Sequence, residues 1–473
     1  MSIGRDRSGL EIQRELSGGV SVTTGRDMLG RTVRRDILSG GVEQSRMRYR
    51  WSMGNRLHRK ENELTGESVH FGYDSWDNLF RADYRGGSEV ESIYKAPDAL
   101  GNLFRTEERK DRKYGKGGRL LEDRKFAYRY DGEGNLVLKS RLRPDDGDEA
   151  PQWQEGDWAY EWQGNGMLKS VKRPDGEVVS FEYDPLGRRI SKTYKDRTTR
   201  WVWDGNVPLH EWTDDEKREG AGDENLITWL FEEGSFVPTA KIVGNKAYSI
   251  ITDYLGTPTH AFDSKGDKIW ERELDIYGKA REGDSSFIPF LFQGQYFDEE
   301  TDLCYNRFRY YSPDTGSYIS QDPILVLGGF NLYSYVRDLN IYVDTFGWWS
   351  ELLSSGMGHH LFPRSVAKKL GISELSQNNS IAWYPNNPKG SDVLHGEMHS
   401  ALSKEGIPFH GSKFEGTTAE AFDKMKKAYA EFDEKGFLKI PGTDEKLFKN
   451  LTPGEAIDKI KEQYESGKLK GRH

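Results

Sequence analysis

A single cysteine, Cys304, is all the chain offers. That excludes an internal disulfide framework and any zinc site built on thiolates, so a bound metal must rest on histidine and carboxylate. Long apolar runs are also missing. No stretch approaches the ~18 to 20 residues of a membrane-spanning helix, and the opening MSIGRDRSGLEIQREL carries charge in place of the apolar core of a signal peptide. Neither Sec export nor membrane spanning is expected from these residues. A basic excess is lacking too: 68 Lys and Arg stand against 77 Asp and Glu, a net charge of −9, which argues against non-specific nucleic-acid binding by the chain as a whole. Any nucleic-acid chemistry must be local or sheltered.

What the chain has is rings and turns. Its 24 Tyr, 22 Phe and 13 Trp, with 52 Gly, suit many short strands joined by tight turns, because aromatic rings pack on pleated surfaces and glycine supplies positive φ. At 473 residues it exceeds the ~250 to 300 at which single cores stop growing, so at least two domains are expected. A degenerate repeat organises most of the length: an aromatic-Asp pair, a short Gly/Asn turn, then an apolar strand start. It reads at Tyr73-Asp74 to Leu79, Tyr130-Asp131 to Leu136, Tyr160-Glu-Trp162 to Leu168 and Tyr183-Asp184 to Ile190. Weaker copies follow at Trp203-Asp204-Gly205, Asp253-Tyr254-Leu255-Gly256 and Asp275-Ile276-Tyr277-Gly278. The aspartate accepts from backbone N–H groups of the turn, and Gly134, Gly166 or Gly187 takes the left-handed position, so each unit predicts a β-hairpin.

These repeats, and above all QGQYFDEETDLCYNRFRYYSPDTGSYISQDPILVLGGFNLYSYV at residues 293 to 336, resemble the Rhs/YD-repeat family and its core-associated region. Arg309-Tyr310-Tyr311, Gly316, Asp322-Pro323 and Asn331-Leu-Tyr-Ser-Tyr335 fall in family order. The resemblance implies a spiral of β-hairpins forming a hollow shell around a C-terminal toxin, closed by the core-associated segment, which in many members cleaves itself. It divides the chain into an all-β shell segment, short at its N-terminus, over 1–290, a core-associated plug over 291–348 and a tail over 349–473. Members usually end the plug on a P-x4-DPxGL pattern, whereas here Leu339 stands in the proline place, followed by Asp344-Thr345-Phe346-Gly347-Trp348. Asp322 and Asp344 are candidates for self-cleavage after Trp348, splitting acid and base roles if burial makes them share a proton. Turn-forming aspartates are the alternative.

After Trp349 the grammar changes. AEAFDKMKKAYAEFDEK and PGEAIDKIKEQYESGK place apolar residues at helical spacing, which predicts a small α+β domain. Four of the ten histidines lie here in two tight groups, Gly358-His359-His360 and His395-Gly-Glu-Met-His399. On a helix, His395 and His399 share one face and can share one ion, and a third nitrogen from His359 leaves positions open for water and phosphate. His360 is then free to act as a base near neutral pH. The reading for any one histidine alone is a satisfied core or surface residue, and His410 and His473 are read so.

The Gly-His-His start followed by Leu361-Phe-Pro-Arg-Ser365 resembles the GHH branch of the HNH/endonuclease VII (ββα-metal) superfamily. That resemblance implies His359, His395 and His399 as metal ligands, His360 as general base and Asn379 as the middle asparagine, with Asn386 competing for that place. Arg364 is a candidate phosphate contact, Lys368, Lys369 and Lys389 candidate groove residues, and Asp392 and Glu397 candidate orienters of a ligand imidazole. The ion implied is one divalent metal, Zn, Ni, Mg or Mn. The expectation is a bacterial toxin, exported by a non-Sec route, whose tail cuts DNA, or RNA as the nearer alternative, in a target cytoplasm, with a cognate immunity protein. An inert YD-repeat surface protein is the rival from another class. A zinc peptidase fits less well, since HGEMH lacks the glutamate placement of HExxH.

Overall fold

In the computed structural model of the chain, the described residues are 2–6, 10–52, 54–143, 152–215, 225–323, 331–347, 351–352, 361–362, 364–370, 372, 382–385, 398, 401–402, 404–407, 414–439 and 446–466. The chain divides into two compact units, Met1–Leu353 and Ser354–His473.

The first unit is built from antiparallel hairpins laid side by side in chain order. A nine-stranded sheet runs from Ser2–Arg5 to Glu89–Tyr94, and a fifteen-stranded sheet from Lys113–Tyr114 to Lys268–Glu271, with no crossover in either. The turn chemistry is the one the repeat predicts. Asp131 Oδ1 accepts from the N–H of Glu133 (3.0 Å) and of Asn135 (2.8 Å), and Asp184 Oδ1 from Leu186 (2.9 Å) and Arg188 (2.8 Å). Gly134 and Gly187 sit at φ +86° and +77°; in the Tyr73 repeat Asp77 takes the left-handed place at φ +69°.

Each turn leaves a register shift where the second strand starts, and the backbone groups there find partners outside the ladder. The aromatic residue of each repeat reaches back to the preceding hairpin: Trp51 Nε1 donates to Thr32 O (2.7 Å), Tyr73 OH to Leu57 O (3.0 Å), Trp162 Nε1 to Leu136 O (2.7 Å), Tyr183 OH to Leu168 O (2.8 Å) and Trp203 Nε1 to Arg189 O (2.8 Å). In each case the acceptor is the first strand residue after the earlier turn. Several N–H groups at the same positions are taken by the plug: Leu136 N donates to Ile319 O (2.9 Å) and Arg189 N to Tyr305 OH (3.0 Å). These polar backbone groups at the irregularity thus have a destination, the condition for burying them.

The Tyr183 repeat corrects one reading. The sequence reads Ile190 as the apolar strand start; the strand instead begins at Arg189, which fills the inward slot at 1% exposure, and Ile190 faces out at 37%. A one-residue difference in register exchanges the faces of a strand. The slot accepts a cation because the plug supplies Asp298, whose Oδ1 lies 3.0 Å from Arg189 Nη2, and because the guanidinium lies over the rings of Trp201 and Tyr305.

The plug forms a four-stranded sheet, Tyr296–Asp298, Leu303–Asn306, Arg309–Ser312 and Ser317–Tyr318, whose aromatic residues merge with those of the wall. Tyr311, Tyr318 and Tyr335 pack with Tyr49, Leu57 and Phe71, and Tyr305, Tyr310 and Ile319 with Tyr128, Tyr160 and Leu168. Lys95, buried, also ties wall to plug, its Nζ donating to Val336 O at 2.6 Å. Burial pushes its ammonium down to about 8, against the pull of Asp338. Between pH 8 and its ordinary 10.5 the unfolded chain holds a proton that the folded chain has released, so Lys95 makes stability rise with pH across that window. Thermal midpoints followed from pH 7 to 10.5 are expected to show that rise in the wild type and its loss in Lys95→Met; parallel curves would refute it.

The second unit contains a three-stranded antiparallel sheet, Ala382–Pro385, Gly436–Lys439 and Lys446–Leu451, in that order, with helices α1 (Arg364–Lys369), α2 (Thr418–Ala428) and α3 (Pro453–Glu465). Capping boxes start α2 at Thr417 with Glu420 and α3 at Thr452 with Glu455. One core gathers Leu361, Phe362, Val366, Trp383, Met398, Leu402, Phe422, Tyr429, Leu438 and Ile457. Among the described residues no helix is long and apolar enough to cross a membrane.

Candidate functional site

Two places are candidates for chemistry. The first lies in the plug, where Asp322 and Asp344 come together on one arginine. The strand Arg309–Ser312 pairs Asn306 with Arg309 and Tyr311 with Tyr318 and is buried along its whole length. Arg309 therefore enters the interior with 1% exposure, and its Nη2 lies 3.1 Å from Asp322 Oδ2 and 3.1 Å from Asp344 Oδ2. Its Nη1 donates to Leu332 O (3.3 Å), its Nε donates to Gly347 O, and the guanidinium lies over the Tyr318 ring, 3.6 Å from the centroid. Tyr318 OH donates to Asp344 Oδ2 (2.8 Å), and burial, then the charge of Asp344, hold that hydroxyl well above its ordinary range, so it remains a donor. Asn306 Nδ2 donates to Asp344 O (2.8 Å).

An opposite charge this close favours the ionised form of a carboxylate. From sequence the two aspartates are candidates to share a proton, or simply turn formers; the structure adds a cation between them, and that cation also grips the carbonyl of Gly347, next to Trp348. Gly347 has φ +70°, and a Cβ there would lie 2.4 Å from Asn306 O, so this approach requires glycine. Arg309 is the residue that sequence reasoning missed as a site member. Its signal was an arginine embedded in a strand of buried aromatics, a position that a cation occupies only with partners.

The second place is the histidine constellation. His359, His360, Asn379, His395 and His399 lie outside the described residues, as does Asn386, and of Arg364 the structure gives only the backbone, at the start of α1. Their immediate neighbours are described. Leu361, which follows His360, is fully buried and its carbonyl accepts from Tyr429 OH at 2.8 Å; Phe362 meets Phe422 edge to face. Met398, which precedes His399, is fully buried and helical, as are Ala401 and Leu402 in secondary structure. Leu361 and Met398 belong to the same core. Among the described residues no group of three or more His, Cys, Asp or Glu is placed to hold a metal.

Residues 8–343 match the family described as Teneurin YD-shell. The chain belongs to the teneurin YD-shell family. Residues 355–468 of this YD-shell chain match the family described as Toxin protein PT1. The chain is 29% identical over 373 residues to Double-stranded DNA deaminase toxin A of Burkholderia cenocepacia, which covers 71% of this chain and 25% of that protein. It is 28% identical over 378 residues to Probable deoxyribonuclease RhsA of Dickeya dadantii, covering 72% and 25%, and 27% identical over 414 residues to Toxin protein Tse5 of Pseudomonas aeruginosa, covering 68% and 30%. The YD-shell chain thus spans about a quarter of the length of the first two of these relatives.

In fold it resembles the Photorhabdus luminescens Tc holotoxin pore, with a TM-score of 0.51 at 18% identity over 76% of this chain and 19% of that one. It also resembles the TcdB2-TccC3-Cdc42 complex, with a TM-score of 0.51 at 19% identity over 73% and 19%. Two relatives that share sequence with this shell are named for different chemistry on DNA, so the shell does not decide what a tail does.

Proposed function

We propose that this YD-shell chain is an interbacterial toxin whose tail is a metal-dependent nuclease of the HNH type, hydrolysing phosphodiester bonds in DNA. The observation that supports it most is the shared core: Leu361 and Met398, the chain neighbours of His360 and His399, are both anchored in one apolar cluster. The described residues next to the two histidine groups thus share one support, which is what a three-imidazole site needs. His359, His395 and His399 would hold the ion, and their borderline nitrogen donors suit zinc or nickel by affinity, with magnesium or manganese as turnover ions. A divalent ion bound there would supply Lewis-acid stabilisation of charge on the phosphoryl group. His360 takes the proton of the attacking water, Arg364 contacts the phosphate, and Asn379 braces the loop between the two groups.

The chain is read as made in a bacterial cytoplasm, exported by a non-Sec route and paired with an immunity protein that occludes the tail. The experiment that tests the proposal offers plasmid DNA and total RNA to the full chain and to the separate tail, each divalent metal in turn and EDTA as control. Plasmid nicking blocked by EDTA supports a DNase; RNA loss alone moves the substrate to RNA; no cleavage in any condition leaves a non-enzymatic tail.

A second reading is favoured by Arg309: the plug cuts its own chain after Trp348. Arg309 fixes the backbone beside the bond, while one aspartate, ionised beside Arg309, takes a proton from the water that attacks the Trp348 carbonyl and passes it to the Trp349 nitrogen as the C–N bond breaks. Intact mass analysis of purified wild type is expected to show fragments ending at Trp348 and starting at Trp349, and Asp344→Asn to show one uncut chain. A wild type that stays whole would make the aspartates structural.

A further inference from the structure

Between wall and plug lies a partly open cavity of about 30 Å³, with room for one or two particles the size of water. Its lining among the described residues includes Arg189, Gln293, Gln295, Arg307 and Thr345 with several aromatic rings, and no carboxylate. Arg189 is neutralised by Asp298, which is not part of the lining. Among the described residues Arg307 pairs with no carboxylate. It is 8% exposed, its Nη2 donates to Leu186 O (2.9 Å), and its Nε and Nη1 are buried with no hydrogen-bond partner. Gln295 is 1% exposed, and neither its Nε2 nor its Oε1 has a partner.

A buried guanidinium without a counter-charge and a buried amide with both atoms unmatched are costly, and native interiors resolve such groups with water or an ion. Water alone would satisfy the amide and leave the charge. We propose that this cavity binds one small inorganic anion, with chloride the size that fits. Arg307 supplies the charge, and the amide N–H of Gln295 a further donor. The site joins three parts of the unit: the repeat turn at Leu186, the plug segment at Gln295, and the segment at Thr345 that leads to Gly347. At Gly294 the two backbones already touch, since a Cβ there would lie 2.2 Å from Thr345 O. Bound anion therefore tightens the wall around the exit segment.

The test uses the full chain at constant ionic strength, with chloride replaced by gluconate, which is too large to enter. The thermal midpoint of the shell is expected to be higher in chloride by about 3 °C. Crystals soaked in bromide are expected to show an anomalous peak within hydrogen-bond reach of Arg307 Nε or Nη1. Arg307→Met is expected to remove both; if it fails to fold, Gln295→Leu is expected to reduce the chloride shift by half or more. Bromide-soaked crystals with only ordered water in the cavity, or a chloride shift unchanged in a folded variant, would overturn the proposal.

Discussion

His360→Ala is expected to reduce DNA cleavage by the tail about 10²- to 10⁴-fold while leaving its fold and metal content intact, the range over which a general base contributes. Metal content distinguishes His360 from its neighbour. His359, His395 and His399 are the expected ligands, so replacing any one should lower bound metal and activity together, whereas His360→Ala should lower activity alone. Leu361, fixed in the core by burial and by Tyr429, holds the chain next to His360 whatever side chain stands at 360. Metal content by elemental analysis, helicity by circular dichroism and plasmid nicking on the same sample make the comparison. If His360→Ala cuts plasmid as fast as wild type, the assigned base is wrong; if it loses metal, His360 is a ligand and the motif must be reassigned.

The largest effect on stability is expected at Arg309. Arg309→Leu removes the counter-charge from Asp322 and Asp344, which are 5% and 1% exposed, and breaking a buried ion pair from one side costs about 3 to 5 kcal/mol. For a unit of this size that corresponds to a fall in thermal midpoint on the order of 10 °C. Adding Asp322→Asn and Asp344→Asn to Arg309→Leu should recover much of the loss, because the buried charges go with the carboxylates. A triple variant no more stable than Arg309→Leu would mean that packing over Tyr318, and not charge, is what Arg309 supplies.

The hairpins were legible because their cause is local. An aspartate and a glycine three residues on decide a turn, and Asp184 with Gly187 shows that chemistry complete within one segment. What the rings do was not legible: Trp162 announces a buried aromatic, but nothing near it in sequence indicates that its N–H ends on Leu136 O. Arg189 misled for a related reason, since a cation in an inward slot makes sense only once Asp298, from the plug, stands opposite. Arg309 was similarly hidden, its two carboxylates lying on separate later segments. The histidine groups were visible as residue types at a spacing, and the packing of Leu361 and Met398 in one core adds a physical reason to read them together.

The rings that bond back to the previous hairpin also bear on how such walls change over generations. Trp51, Tyr73, Trp162, Tyr183 and Trp203 each spend their one donor on the hairpin before their own. A recombination event that copies or deletes one whole unit leaves each ring with a carbonyl to meet and each carbonyl with a ring. One that copies half a unit strands both. The wall behaves like a tape that can be spliced between repeats and nowhere else, so its length changes by whole hairpins without stranding a ring or a carbonyl.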